Sequence, residues 1–322
     1  MRPRDLALAI VVTAIWGVNF VVIHVGLSSM SPLLFCALRF GVAALPAVLL
    51  VGRPQAPWRW IIATGIALGV VKFSLLFAGV AAGLPSGLSA LVLQSQVVFT
   101  LIFATVLLRD RPGPRRVAGV VLAGAGIVLI ATQLGLDRPL GAFLLVVAAG
   151  AAWGLANIAM RKASATRSGP EGLRPDRPRP GADNQLNFMV WVSAVATPPL
   201  VLLTLTVDGP AYVWHALQGL DLVAVGAIGY IAYLSTLFGF GVWGRLIARY
   251  GAGTVAPFAA LAPVFAILSS ALLLGEGIHW YDLVGGAAIL GGVLLGATGV
   301  RTAKLDLPAD AAPASVRPIE RV

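Results

Sequence analysis

The chain has 322 residues, of which 58% are hydrophobic and 11% are charged, with a mean hydropathy of +0.91. Soluble domains contain about 25% charged residues, so this composition excludes an ordinary soluble fold and favours a membrane protein. The net charge of +10 would suit nucleic acid, but the basic residues lie between apolar segments, and we expect no nucleic-acid partner. The single cysteine, Cys36, excludes an internal disulfide and a cysteine-based metal site.

Ten apolar segments follow one another along the chain. Each is about 20 residues long, enough to cross a hydrocarbon core of roughly 30 Å. They predict an all-α membrane protein with ten transmembrane helices embedded in the lipid bilayer. The segments are 6–27, 31–52, 58–81, 86–108, 117–134, 139–160, 186–207, 222–244, 252–274 and 283–300.

The basic residues alternate with these segments. Twenty of the 23 Lys and Arg residues lie at the N-terminus, in every second connection or in the C-terminal tail. Basic residues near span ends stay in the cytoplasm, so this pattern predicts ten crossings with both termini inside. Three residues depart from it: Arg138 in an outer connection, Arg39 in span two and Lys72 in span three.

The chain divides into two halves with similar landmarks. Trp16-Gly17 in span one matches Trp153-Gly154 in span six, and a shift of 166 residues aligns Leu107–Asp110 with Leu273–Glu276. The same shift takes Gly119 to Gly285 and Gly126 to Gly292. Spans one and six cross in opposite directions, so these matches predict two inverted five-helix repeats, an arrangement typical of secondary transporters.

These matches set the predicted boundaries. The first repeat covers 1–136, and the second covers 137–162 together with 185–301. The connection 163–184 is rich in Arg, Pro and Gly and is predicted to be a disordered cytoplasmic loop. The tail 302–322 is predicted to be disordered as well.

Polar groups inside the membrane indicate where a ligand would bind. Charged residues there usually face a cavity, and Arg39 and Lys72 have no Asp or Glu deep in any span to pair with. Asn19 and Gln94 fall at a similar depth, roughly 12–14 Å below the outer boundary at 1.5 Å per residue. We expect these four side chains to bind a carboxylate-bearing substrate. The alternative is that both cations bond backbone carbonyls or cavity water.

Further candidates are aromatic or lie in the second half. Trp16 and Tyr230 are predicted to line the pathway, with packing and helix–helix hydrogen bonding as the alternatives. Gln94 and Gln96 point in different directions on a helix, so one, Gln94, is expected to face the cavity and the other to bond a neighbouring helix.

Motifs of catalysis are absent from the sequence. It contains no GxSxG, P-loop, paired carboxylates or clustered metal ligands. We expect no enzyme activity, no catalytic residues, no cofactor and no metal site.

Several short motifs resemble those of the EamA family in the drug/metabolite transporter superfamily. They include Trp16-Gly17-x-Asn19-Phe20, Leu38-Arg39-Phe40, Ser89–Gln96, Gly241–Gly244 and Val255-Ala256-Pro257. Within that family the residues are most similar to those of bacterial O-acetylserine/cysteine exporters. The resemblance implies alternating-access export of small amino-acid-like metabolites across the inner (cytoplasmic) membrane.

The resemblance carries Asn19, Arg39 and Gln94 over as motif positions. Lys72 departs from it, because those exporters have a neutral amide there, and the added charge leaves the substrate open. Export of other metabolites or drugs is the alternative within the superfamily, and a membrane receptor or scaffold is the alternative of another class. The direction of flux also stays open, and a homodimer is compatible with the sequence.

Overall fold

The computed structural model describes residues 1–54, 56–133, 140–167 and 182–298, and all regular structure in these residues is helical. Nine helices there are long and apolar enough to cross a membrane, and a tenth apolar helix, Trp280–Gly296, is slightly shorter. The predicted all-α fold with ten membrane helices is confirmed.

We number the ten helices in chain order and leave a short helix, Pro210–Gln218, unnumbered. Four of the ten are continuous in sequence but change helix type part-way, and the range of each of these four spans all of its segments. The helices are α1 (Pro3–Gly26), α2 (Pro32–Leu50), α3 (Trp58–Ala81), α4 (Ser86–Leu108), α5 (Pro114–Gln133), α6 (Leu140–Arg167), α7 (Ala182–Val207), α8 (Leu222–Tyr250), α9 (Ala252–Leu274) and α10 (Trp280–Thr298).

The interrupted helices occupy corresponding places in the two halves. α3 contains a π-helical segment at Gly65–Lys72, and α8 contains one at Tyr230–Phe238. α4 contains a 3₁₀ turn at Leu93–Ser95, and α9 contains one at Ala256–Ala260. In α9 the cause is visible in the sequence, because Pro257 and Pro263 each remove a backbone donor.

The ends of α4 and α9 also match. Arg109 and Gly275 both adopt the left-handed conformation, with φ of 55° and 67°. In both places the following amide reaches back six residues, from Asp110 to Ala104 O and from Glu276 to Ser270 O. Arg109 is the only non-glycine residue with positive φ in the described ranges, so the turn is imposed where the sequence offers no glycine.

Close packing of α5 against α10 depends on glycine. A Cβ built at Gly119 would lie 2.4 Å from Gly292 O, and one built at Gly126 would lie 2.6 Å from Gly285 O. Side chains at these positions would separate the helices, so the glycines allow the backbones to touch. The four residues are the two pairs that the shift of 166 relates.

Two helices extend into the predicted central loop. The expected disordered loop 163–184 overlaps regular structure, since α6 continues to Arg167 and α7 begins at Ala182. Ala163 is fully buried in an apolar cluster with Ala56 and Ile61, so the start of the predicted loop is packed into the bundle. Residues 168–181, the tail 302–322 and Arg138 lie outside the described residues.

Large apolar side chains cover the outer surface of the bundle. Leu49, Leu50, Leu222 and Leu272 are each more than 80% exposed. Such a surface is unfavourable in water and suits contact with lipid chains. The buried aromatic residues instead collect between α2 and α3, where Phe35 and Phe77 have ring centroids 5.2 Å apart.

Candidate functional site

Arg39 lies in the middle of α2 with only 3% of its surface exposed. Its guanidinium carbon is 3.8 Å from the ring centroid of Phe73, 4.6 Å from that of Phe40 and 5.9 Å from that of Phe77. The negative faces of aromatic rings attract cations. Three rings therefore surround the charge that the sequence places inside the membrane.

Lys72 ends the π-helical segment of α3 and is 4% exposed. Its Nζ is 3.3 Å from the Phe73 ring centroid and 4.8 Å from that of Trp153 on α6. Arg39 and Lys72 thus share the Phe73 ring. Each lies within 4 Å of one centroid, so the two cations are neighbours, as the sequence predicted when it placed them at one depth.

The nitrogen atoms of the two cations are poorly satisfied. Arg39 Nη2 donates to Thr236 Oγ1 over 3.4 Å, and that hydroxyl donates to Ile231 O over 2.8 Å. Arg39 Nε and Nη1 are buried without a hydrogen-bond partner. Lys72 Nζ makes no hydrogen bond or ion pair within the described residues. A guanidinium carries five N–H donors, so most of the donors at this place have no acceptor.

Within the described ranges every acidic residue lies in a connection or within three residues of a helix end, so none is placed at mid-membrane with Arg39 or Lys72. Among these residues are Asp5, Asp110, Asp208, Asp221, Glu276 and Asp282.

Asn19 and Gln94 are not part of the same contact set. Asn19 is 8% exposed, and its Oδ1 is buried without a partner. Gln94 lies in the 3₁₀ turn of α4 and is half-buried. In the described part of the chain neither side chain makes a hydrogen bond with Arg39 or Lys72. Both keep free polar atoms, so their role as ligands stays a prediction.

Gln96 bonds a neighbouring helix. Its Oε1 accepts from Asn157 Nδ2 on α6 over 2.7 Å. Asn157 Nδ2 also donates to Thr100 Oγ1 over 2.9 Å. The prediction that one of the two glutamines bonds a neighbouring helix is confirmed for Gln96.

Trp16 and Tyr230 join α1 to α8. Trp16 Nε1 donates to Ser235 O over 3.0 Å, and the indole packs on Trp243 with ring centroids 5.0 Å apart. Tyr230 Oη donates to Ile15 O over 2.9 Å. Both polar groups are used for helix–helix bonding, which was the alternative to substrate contact.

Phe73 is the residue that sequence reasoning missed. Its ring contacts both cations, and Phe40 and Phe77 add two further rings around Arg39. A signal was present, because an aromatic residue directly follows each intramembrane cation in Arg39-Phe40 and Lys72-Phe73. Trp153, noted for its match to Trp16, also contacts Lys72.

A family model described as the EamA-like transporter family matches residues 5–132 and 140–298. The chain belongs to this family. The match covers both halves of the chain, and it confirms the resemblance found in the short motifs.

Full-length relatives resemble the chain along nearly all of it. A probable amino-acid metabolite efflux pump of Salmonella typhimurium is 34% identical over 94% of this chain and 97% of its own length. One of the same description from Escherichia coli is 33% identical over 94% and 98%. A probable terminal-alkyne amino-acid exporter of Streptantibioticus cattleyicolor is 28% identical over 92% and 94%.

A crystal structure shares the fold. It aligns with 92% of this chain and covers 96% of its own, with a TM-score of 0.58 and 16% identity. Together with the family and the apolar helices, these comparisons identify a transporter that crosses the bacterial inner membrane several times and acts on a small molecule.

Proposed function

We propose that this EamA-family member exports small amino-acid-like metabolites that carry a carboxylate. The observation that carries the proposal is the pair of buried cations on the Phe73 ring, which have no acidic partner among the residues that the structure describes. A buried charge without a partner is costly. A substrate carboxylate would accept from the free Arg39 nitrogens and lie beside Lys72.

The relatives point to the same chemistry. Two are described as probable amino-acid metabolite efflux pumps and one as a probable amino-acid exporter. Amino acids and their derivatives carry a carboxylate, the group that an arginine fork binds best. Within this class, O-acetylserine and cysteine are the substrates that we test first.

The polar atoms left free elsewhere extend the proposed site. Asn19 Oδ1 is a buried acceptor without a donor, and it suits the ammonium group of an amino acid. Gln94 offers both a donor and an acceptor. We assign these two side chains to orient the substrate after Arg39 and Lys72 have attracted its carboxylate.

We further propose alternating access between two inverted repeats, with both termini in the cytoplasm. The paired π-helical segments of α3 and α8 and the matching turns at Arg109 and Gly275 support the repeats. The basic residues at Arg115 and Arg245 belong to the set that supports the orientation. Movement of one repeat against the other would expose the site to each side in turn.

The decisive experiment measures efflux of labelled O-acetylserine and cysteine from proteoliposomes. Arg39→Gln and Lys72→Gln are compared with wild type and with Arg115→Gln, the same chemical change at an exposed position. We expect each site variant to lose at least about ten-fold in rate, since loss of a charge-assisted bond of about 1.5–3 kcal/mol corresponds to that factor or more. The control should keep wild-type rates.

Two results would overturn the proposal. One is full transport by correctly inserted Arg39→Gln and Lys72→Gln proteins. The other is thermal stabilisation of the purified protein by cationic compounds but not by amino-acid carboxylates, which would favour drug export instead.

A further inference from the structure

The start of α4 is held by a carboxylate from the end of α9. Glu276 Oε1 accepts from the Ser86 amide over 2.7 Å, and Oε2 accepts from the Gly87 amide over 3.1 Å. Helix N-termini leave such amides unpaired and favour negative charge. We call this contact the Glu276 latch.

The same two helices touch beside the latch. A Cβ built at Gly87 would lie 3.0 Å from Ile267 Cα on α9. Ser86 and Leu88 are almost fully buried, at 0% and 4% exposure. This end of the α4–α9 pair is therefore closed.

The opposite end of the α4–α9 pair contains the corresponding residues, but its carboxylate has a different partner. The shift of 166 residues that aligns Asp110 with Glu276 also aligns Ala252 with Ser86 and Gly253 with Gly87. Asp110, however, pairs with Arg161 on α6, through Nη1 and, at 3.3 Å, through Nη2. Within the described residues no carboxylate accepts from the Gly253 amide, in the first turn of α9.

The two ends of the α4–α9 pair also differ in packing, which is looser at Gly253 than at Gly87. The residue that corresponds to Ile267 is Leu101, yet a Cβ built at Gly253 would meet nothing within 4 Å. Gly253 and Thr254 are exposed, whereas their counterparts Gly87 and Leu88 are buried. This end of the α4–α9 pair is open.

We propose that Asp110 is the second latch of an alternating pair. In the other state of the transport cycle its carboxylate leaves Arg161 and accepts from the Ala252 and Gly253 amides, while the Glu276 latch breaks. Gly253 then packs against Leu101. The inference rests on the inverted repeats of the proposed function, and it adds the residues that hold each end shut.

The arrangement explains why the two carboxylates differ in their partners. Each can satisfy only one set of donors at a time. Arg161 keeps Asp110 away from α9 while the opposite end is latched. The Asp110–Arg161 pair is accessible enough for Asp110 to exchange partners, since the Arg161 side chain is 56% exposed and that of Asp110 28%.

The test measures the distribution between the two states and needs no substrate. In a Cys36→Ala background, the pair Gly253→Cys with Leu101→Cys reports the closed Asp110 end by disulfide formation. The pair Gly87→Cys with Ile267→Cys reports the closed Glu276 end, where a Cβ built at Gly87 lies 3.0 Å from Ile267 Cα. Full-length protein in lipid nanodiscs is oxidised, and both rates are measured.

Each latch variant should shift the two rates in opposite directions. Glu276→Gln should raise the Gly253/Leu101 rate about ten-fold, the effect of losing one charge-assisted hydrogen bond. Asp110→Asn should lower it by a similar factor, and Arg161→Gln should raise it by freeing Asp110. Asp208→Asn is the control, because this carboxylate bonds Ser31 and belongs to neither latch.

A single-cysteine surface variant provides a second measurement if a double-cysteine protein does not fold. Thr254 is exposed, and its counterpart Leu88 is buried. Maleimide labelling of Thr254→Cys should slow in Glu276→Gln and accelerate in Asp110→Asn. Unchanged labelling and cross-linking in both latch variants would overturn the inference. If the latch variants show the predicted shifts but wild-type protein exports neither O-acetylserine nor cysteine, the substrate assignment fails and the latch inference stands.

Discussion

Two sets of basic residues in this protein differ in burial and in whether an acidic residue pairs with them. Arg39 and Lys72 lie inside the bundle, are less than 5% exposed and contact aromatic rings, and no carboxylate in the described part of the chain pairs with them. Arg161 and Arg249 lie at helix ends, are about half exposed and each pairs with an acid, Asp110 or Asp5. The charges that are most expensive to bury are thus the ones left without a counter-ion.

The difference separates a structural role from a functional one. An exposed pair joins helix ends and contributes little to stability. A buried cation that keeps its charge without an anion is unfavourable for folding and is retained where a ligand completes it. Four experiments test this contrast, starting with the largest expected effect.

An acid placed beside Arg39 should give this buried cation an internal counter-ion, as the exposed arginines have. Thr236→Asp puts a carboxylate where the Thr236 hydroxyl now accepts from Arg39. We expect transport to fall at least about ten-fold, because an internal anion would compete with the substrate for the same donors at a cost above about 1.4 kcal/mol. Efflux assays on proteoliposomes measure the loss, and Thr236→Asn is the neutral control of the same shape.

The melting temperature of the same variants gives the complementary result. Thr236→Asp should melt no lower than Thr236→Asn, since it completes an ion pair. A large drop in melting temperature with the acid would show that Arg39 does not accept an anion at this place.

Loss of the shared ring should weaken the buried site next. Phe73→Leu keeps an apolar side chain but removes the ring that both cations face. We expect the free energy of unfolding to fall by about 2 kcal/mol, the scale of a desolvated cation–π contact. Chemical unfolding in mixed micelles measures it. Phe99→Leu removes a membrane ring that stacks on Phe103 instead and should cost less.

The ion pair at the membrane edge should matter far less. Arg249→Gln breaks its contact with Asp5, 3.3 Å long, while Tyr250 still donates to the same carboxylate over 2.5 Å. We expect a loss below about 1 kcal/mol that shrinks with added salt. The same unfolding assay at low and high ionic strength decides. A loss of unfolding free energy as large as that of Phe73→Leu would contradict the conclusion that the exposed pair contributes less than the buried site.

The smallest effect concerns pH. The hydrogen bond from Arg161 lowers the pKa of Asp110 below its ordinary value of 3.8. Because the folded pKa is the lower one, the stabilisation is present above pH 3.8 and is lost as the pH falls through the folded value. Arg161→Gln should return the pKa toward 3.8 and flatten this part of the stability curve. A carbon-13 NMR titration of labelled aspartate measures the pKa.

The sequence was a reliable guide where one physical constraint dominates. Long apolar stretches must be helical in lipid, since every backbone group needs a partner there. The positions of Arg39 and Lys72 could be placed at one depth by counting residues. The glycines of α5 and α10 stood out in the sequence as matches between the two halves, and the structure shows that they allow these two helices to touch.

It was a weaker guide where the answer depends on direction or on a competing partner. The expected site included Trp16 and Tyr230, but their polar groups bond Ser235 and Ile15 across the α1–α8 contact. A loop was expected from residue 163, but Ala163 is buried within α6, which continues to Arg167. Neither outcome can be read from composition.

By itself, the sequence determined the number of membrane helices, the presence of two cations within them and the absence of deep acids, because transfer into lipid fixes these through residue type alone. The tertiary structure decided that both cations meet on the Phe73 ring. It also decided that Glu276 reaches the start of α4 while Asp110 reaches Arg161. These are choices among several available partners, and only the packing of distant helices selects between them.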